Sequence, residues 1–178
     1  GMPFPRAKAN CYDYGMNVPM AIRYPKEMEG GRINKTLISF VDLAPTILEV
    51  TQTPSQNMMP IRGKSIWKLL KNNEEHQDRT VFAGRERHSS SRYKNWGYPV
   101  RSIRKGDHLL IWNVIPERWP AGAPQGYNPE SGTVLPLFGM VEDEEKIGED
   151  IFSDIGNSPS KRFIIKNHSM PGLEKYLE

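Results

Sequence analysis

Apolar residues are spaced in different ways along this 178-residue chain, and each spacing predicts a different element. Val18, Met20, Ala21 and Ile22 make a short apolar run within residues 16–24, closed by Pro25, which predicts a buried strand. A polar stretch follows, with Gly30-Gly31 marking a turn. Leu37, Ile38, Phe40 and Val41 then lead into residues 42–50, where Leu43, Ile47 and Val50 share one face of a helix. Asp42 is the predicted N-cap, because that places Pro45 in the first turn, where a lost N–H costs nothing. Residues 52–60 read as a linker, after which Ser65 is predicted to cap a short helix carrying Ile66, Trp67, Leu69 and Leu70. Residues 80–84 predict a strand. Residues 98–104 and 108–114 alternate around Lys105-Gly106-Asp107, a hairpin pattern. Val100 and Ile103 do not share parity, which implies a bulge or a late strand start. Residues 160–177 are polar and basic, with weak helical spacing at Leu173, Tyr176 and Leu177, and no internal repeat is evident.

The composition, 37% hydrophobic and 25% charged, is that of a soluble globular domain long enough to bury a core. Fifteen Pro, 15 Gly and a mean hydropathy of -0.62 imply much loop. No apolar run approaches the roughly 20 residues needed to span a bilayer, and no basic-then-apolar leader opens the chain. Neither a membrane partner nor a cellular address is therefore expected from the sequence. Cys11 is the single cysteine, so no intrachain disulfide forms, and it reads as a small packing residue.

Charge is uneven. Residues 84–106 hold seven Lys or Arg against one acid, with Tyr93, Trp96 and Tyr98 interleaved, whereas residues 140–154 hold seven acids against Lys146. The acidic run lacks the spaced carboxylates of a calcium loop and reads as a solvated face. Three readings compete for the basic run: a solvated face, a nucleic-acid surface, and a wall for a sulfated sugar on which Arg85 and Arg87 would pair with sulfate oxygens. No nucleic-acid fold signature accompanies it, so no nucleic-acid partner is expected. Arg62-Gly63-Lys64-Ser65 resembles the end of a phosphate loop but lacks the upstream glycine and strand. Residues 116–127 form a Pro/Gly-rich loop around Trp119 that reads equally well as a packed surface loop or a cleft wall.

Residues 3–19 are the strongest chemical candidate. They place Lys8, Asn10, Tyr12, Asp13 and Tyr14 in a Pro- and Gly-punctuated segment, where functional side chains concentrate. Lys8 is a compact charge suited to an anionic oxygen, with neutral hydrogen-bonding groups close by. On the residues alone, one more solvated lysine is the competing reading. His88 offers a group able to donate a proton near neutral pH, against the plainer reading of a hydrogen-bonded loop residue.

The segment resembles the lysine loop of the type I sulfatases: Lys8, Tyr12, Asp13, Gly15, Val18 and Pro19 stand in its register, with Tyr14 where a first Gly is common and Asn17 where Arg is common. The heparan N-sulfatase branch is similar also in Pro3-Phe4-Pro5, Asn10 and Tyr98-Pro99-Val100-Arg101-Ser102. That resemblance implies that Lys8 holds the substrate sulfate, that His88 contacts substrate, and that residues 42–46 start a structural helix. It implies an α/β to α+β fragment of an alkaline-phosphatase-like fold, with residues 1–73 ending the large domain and 74–178 forming an antiparallel-sheet subdomain packed by one or two helices. The implied activity is hydrolysis of sulfate groups on sulfated glycans, N-sulfate of glucosamine above others, in a periplasmic, secreted or lysosomal setting. Ca2+ and a formylglycine made within Cys/Ser-X-Pro-X-Arg would serve the complete enzyme. Cys11 is not in that motif, and no paired calcium-binding Asp is found. The chain is therefore expected to be a C-terminal part with no complete catalytic set and no metal ligand, inactive alone, which needs an N-terminal sulfatase domain as partner and self-associates in isolation. The alternative is a non-enzymatic module that binds polyanions or sulfated glycans.

Overall fold

The computed structural model describes residues 3–88, 96–118, 125–127, 134–137, 151–152 and 154–176. Three strands, β1 (Thr80–Arg85), β2 (Val100–Lys105) and β3 (His108–Asn113), form an antiparallel sheet in that order. The β2–β3 hairpin turns at Gly106, whose φ of 51° is open to glycine at no steric cost. β2 starts late, at Val100, and turns Val100 and Ser102 to the buried side, which resolves the parity of this segment. Residues 125–127, expected within a loop, instead form β4 (Gln125–Tyr127), antiparallel to β5 (Val134–Leu137), with Gln125 opposite Leu137 and Tyr127 opposite Val134. Among the described residues, four α-helices complete a small α+β arrangement: α1 (Asp13–Met16), α2 (Leu43–Thr51), α3 (Trp67–Asn72) and α4 (Pro159–Lys166). Trp119 and residues 140–150 of the acidic run lie outside the described residues.

The chain divides into two compact units, one made of Gly1–Val18, Ala83–Ser102 and Ile111–Glu178, the other of Pro19–Phe82 and Ile103–Leu110. The second unit is organised by Asp42, which is 4% exposed. Its Oδ2 accepts from the Ser39 amide at 3.1 Å and from Arg79 Nη2 at 2.6 Å, and its Oδ1 accepts from the Lys64 amide at 3.0 Å. Asp42 thus closes the 3-10 turn Phe40–Asp42 and ties it to the segment before α3. It stands at the N-cap position of α2, but its side chain makes no capping bond to that helix and is turned instead to these three donors.

Thr46 makes the second tie. Its hydroxyl donates to the Asp42 carbonyl at 2.6 Å and accepts from the Ile66 amide at 3.0 Å, joining α2 to the start of α3. Thr46 is accordingly the buried residue of α2, and Ile47, expected on the core face, is exposed. Ser65 acts near its predicted place, its Oγ accepting from the Trp67 amide at 3.2 Å, although the residue at the N-cap is Ile66. Gly63 is required by close approach, since a Cβ there would overlap the Val41 carbonyl. Both helices end on non-glycine residues in the left-handed region, Gln52 and Asn73, each with φ 53°.

The strand expected over residues 16–24 is not formed. Residues 17–24 have no regular structure, and Val18, Met20 and Ile22 are exposed. An apolar run becomes a strand only when a neighbour satisfies its backbone, and no strand among the described residues pairs with it.

Breaking a buried, multiply bonded ion pair leaves charge and donors uncompensated. Asp42→Ala should lower the unfolding free energy by about 3 kcal/mol, and Arg79→Ala, whose side chain is partly exposed, by less. Urea denaturation reads both, and an Asp42→Ala loss below about 0.5 kcal/mol would contradict the central role of this carboxylate.

Candidate functional site: the lysine loop and the end of strand β1

Residues 3–12 are wound by short-range backbone bonds, Ala7 N–H to the Phe4 carbonyl at 3.2 Å and Asn10 N–H to the Ala7 carbonyl at 3.1 Å. The loop closes against α1, where Gly15 and Met16 amides bond the Tyr12 carbonyl at 2.8 and 3.0 Å. A Cβ on Gly15 would overlap the carbonyls of both Ala7 and Asn10, so only glycine admits this closure. Arg6 and Ala9 have φ of 59° and 66°, a region that L-residues avoid. Ala7 is fully buried and Lys8 exposed, so the winding sinks the small side chain and leaves the ammonium outward. Arg6 lies over the Tyr12 ring, 5.6 Å from its centroid.

Cys11 carries the loop to the sheet. It packs with Tyr98 and Val100 in a buried cluster that Met16 and Ile111 flank, which is the packing role expected of it. Ser102 Oγ reaches Met16 Sδ at 3.2 Å on the same side. The Tyr98 amide in turn bonds the Glu86 carbonyl at 2.8 Å, just past the end of β1. Glu86 also pairs with Arg101, and Arg118 Nη1 donates to the Gly97 carbonyl at 2.7 Å. A Cβ on Gly97 would come to 3.1 Å from the Glu86 carbonyl oxygen, which keeps the two backbones close.

The three other candidate residues sit at this strand end. Arg85 is half-buried, and its Nε and Nη1 are shielded from solvent with no hydrogen-bond partner among the described residues. Arg87 is exposed and His88 half-buried. Lys8, Arg85, Arg87 and His88 therefore belong to one compact unit, connected through Cys11, Tyr98 and Glu86. Arg92, Tyr93 and Lys94 of the basic run lie outside the described residues.

The family described as N-sulphoglucosamine sulphohydrolase, C-terminal, matches residues 7–99, a span that includes all four candidates. The chain belongs to this sulfatase family. It is 40% identical over 137 residues to the ulvan-active sulfatase of Formosa agariphila, a match covering 77% of this chain and 19% of that protein. It is 26% identical over 122 residues to the N-sulphoglucosamine sulphohydrolase of Homo sapiens, covering 64% of this chain and 23% of that protein. The matches thus span about a fifth of the length of these relatives.

Among the described residues of this sulfatase domain, no group of three or more His, Cys, Asp or Glu is placed to hold a metal ion. Sequence reasoning also misplaced one carboxylate. Asp154, assigned to a solvated acidic face, is buried, and its Oδ2 accepts from Asn10 Nδ2 at 3.0 Å, two residues past Lys8. Helix α4, just beyond it, was not expected, yet Ser158-Pro159 is an N-cap followed by Pro at N1, and Ser158 Oγ accepts from the Lys161 amide at 3.1 Å.

The closure at Gly15 is open to test. Gly15→Ala should cost about 2 kcal/mol through forced displacement of two carbonyls. Gly30→Ala, with nothing within 4 Å of the added Cβ, should stay within about 0.5 kcal/mol of the parent. Equal unfolding midpoints for the two variants would refute the close-approach argument.

Proposed function

We propose that this domain holds the sulfated glycan for a sulfatase, with Lys8 and Arg85 contacting sulfate oxygens and Arg87 and His88 contacting the adjoining substrate. The observation that carries the reading is Arg85, whose Nε and Nη1 are out of solvent and without acceptors among the described residues. A guanidinium stays charged, and buried donors left unpaired are costly, so an anionic oxygen that enters there gains charge-assisted hydrogen bonds. Lys8, outward on its wound loop, adds a compact charge. The favoured substrate is the N-sulfate of glucosamine, by analogy with the name of the family and of the human relative.

In this reading the reaction is attack on sulfur with cleavage of the S–N bond. Cations offset the charge gathering on the sulfate oxygens, and His88 can give a proton to the leaving amine. The nucleophile, a hydroxyl of a hydrated formylglycine, and the Ca2+ ligands would belong to an alkaline-phosphatase-like N-terminal domain, so the 178-residue chain binds substrate but releases no sulfate. A periplasmic, secreted or lysosomal site is part of the same proposal. A second reading, a polyanion-binding module without catalysis, is favoured by the seven basic residues of 84–106.

Isothermal titration of the chain with an N-sulfated glucosamine oligosaccharide separates them. Lys8→Ala and Arg85→Ala should each weaken binding about ten-fold, as expected for a lost charged hydrogen bond. Undiminished binding of the desulfated sugar would sink the sulfate reading. Equal affinity for polyphosphate, lost steeply with salt, would support the polyanion module instead.

A further inference from the structure

The Lys8 loop is not self-sufficient. Two of its residues, Arg6 and Ala9, lie in the left-handed region, and such strain persists only where surrounding structure over-determines the backbone. The restraints come from the other end of the chain, within the same compact unit. Asn10 Nδ2 donates to Asp154 Oδ2 at 3.0 Å, Ser158 Oγ donates to the Pro3 carbonyl at 3.4 Å, and the Phe4 ring meets Tyr176 edge-on at 5.3 Å. Asn10 Nδ2 also approaches the Lys8 carbonyl at 3.4 Å, so the amide held by Asp154 touches the Lys8 backbone.

Asp154 is itself firmly set. It lies between Phe152 and Ile155 in the chain, which with Ile151 and Ile165 make a buried cluster. The Ile155 amide bonds the Phe152 carbonyl at 2.8 Å, closing a turn in which Phe152 has φ 44°. Lys161, 3% exposed, sends its Nζ to the carbonyls of Phe152 and Ile155 at 3.3 and 3.2 Å. A buried ammonium on two carbonyls fixes the turn more firmly than neutral donors could. Residue 154 lies outside the span 7–99 matched by the family, so nothing in that match assigns it a role.

We infer that Asp154 is a positioning residue for the sulfate site: through Asn10 it fixes the backbone that carries Lys8, and the turn braced by Lys161 fixes Asp154. This rests on the reading that Lys8 holds sulfate, but the brace can be tested without it.

Limited trypsin digestion of the 178-residue chain, followed by mass spectrometry, reports how often the loop opens. Asp154→Ala should accelerate cleavage after Arg6 and Lys8 about five-fold, as for one lost hydrogen bond, and leave cleavage after Arg79 and Lys105 unchanged. A general loss of stability would accelerate all four. The exchanged pair Asn10→Asp with Asp154→Asn, which rebuilds the bond with donor and acceptor reversed, should return cleavage toward the parent rate. Unchanged cleavage after Lys8 in Asp154→Ala, or acceleration at all four sites that the exchanged pair does not reverse, would overturn the inference. On N-sulfated glucosamine oligosaccharide, Asp154→Ala should weaken binding about five-fold in the parent and not at all in Lys8→Ala. A further loss in Lys8→Ala would overturn positioning through Lys8. Loop opening with no effect of Lys8→Ala on affinity would instead sink the sulfate reading and leave the brace standing.

Discussion

A lysine useful for gripping an anion must be held still, and the backbone around Lys8 resists being held. Arg6 and Ala9 occupy the left-handed region without being glycine, so the loop depends on contacts from outside itself. Gly15 gives one of them, by allowing the Ala7 and Asn10 carbonyls to close over α1. Cys11 gives a second, packing the loop on Tyr98 and Val100. The turn before α4 gives a third, through Asp154. Anion binding of the kind proposed for Lys8 requires preorganised charge, and the cost of this backbone is distributed over these three contacts.

The same logic appears in the other unit. Asp42 and Thr46 each satisfy more than one segment, so a 3-10 turn and two short helices of nine and six residues become one body. Helices of that length are marginal alone, and the side-chain ties across them supply what propensity does not. The part of both residues is to keep a structural frame, as the sulfatase family resemblance implied for residues 42–46.

Much of this was legible in the sequence because it is local. The β2–β3 hairpin follows from Gly106 between alternating runs, α3 from a Ser before periodic apolar residues, and the Lys8 loop from the register of Lys8, Tyr12, Asp13 and Gly15. The buried state of Cys11 followed from its chemistry. The strand expected over residues 16–24 failed because apolar content is not enough: a strand needs a partner, and none among the described residues is there. Ile47 failed for a related reason, since the core face of α2 was set by Thr46 bonding to Ile66 and not by apolar periodicity.

The sequence by itself determined which charges and turn-formers stand near each other along the chain, and with them the family, the basic strand end at Arg85, Arg87 and His88, and the place of Lys8. Only the tertiary structure decided which polar groups are buried and against what. Asp154 shares its stretch with six other acids and reads from composition as one more solvated carboxylate. Its partner Asn10 lies 144 positions away, and a hydrogen bond over that separation leaves no spacing, period or turn signal for a linear reading to detect.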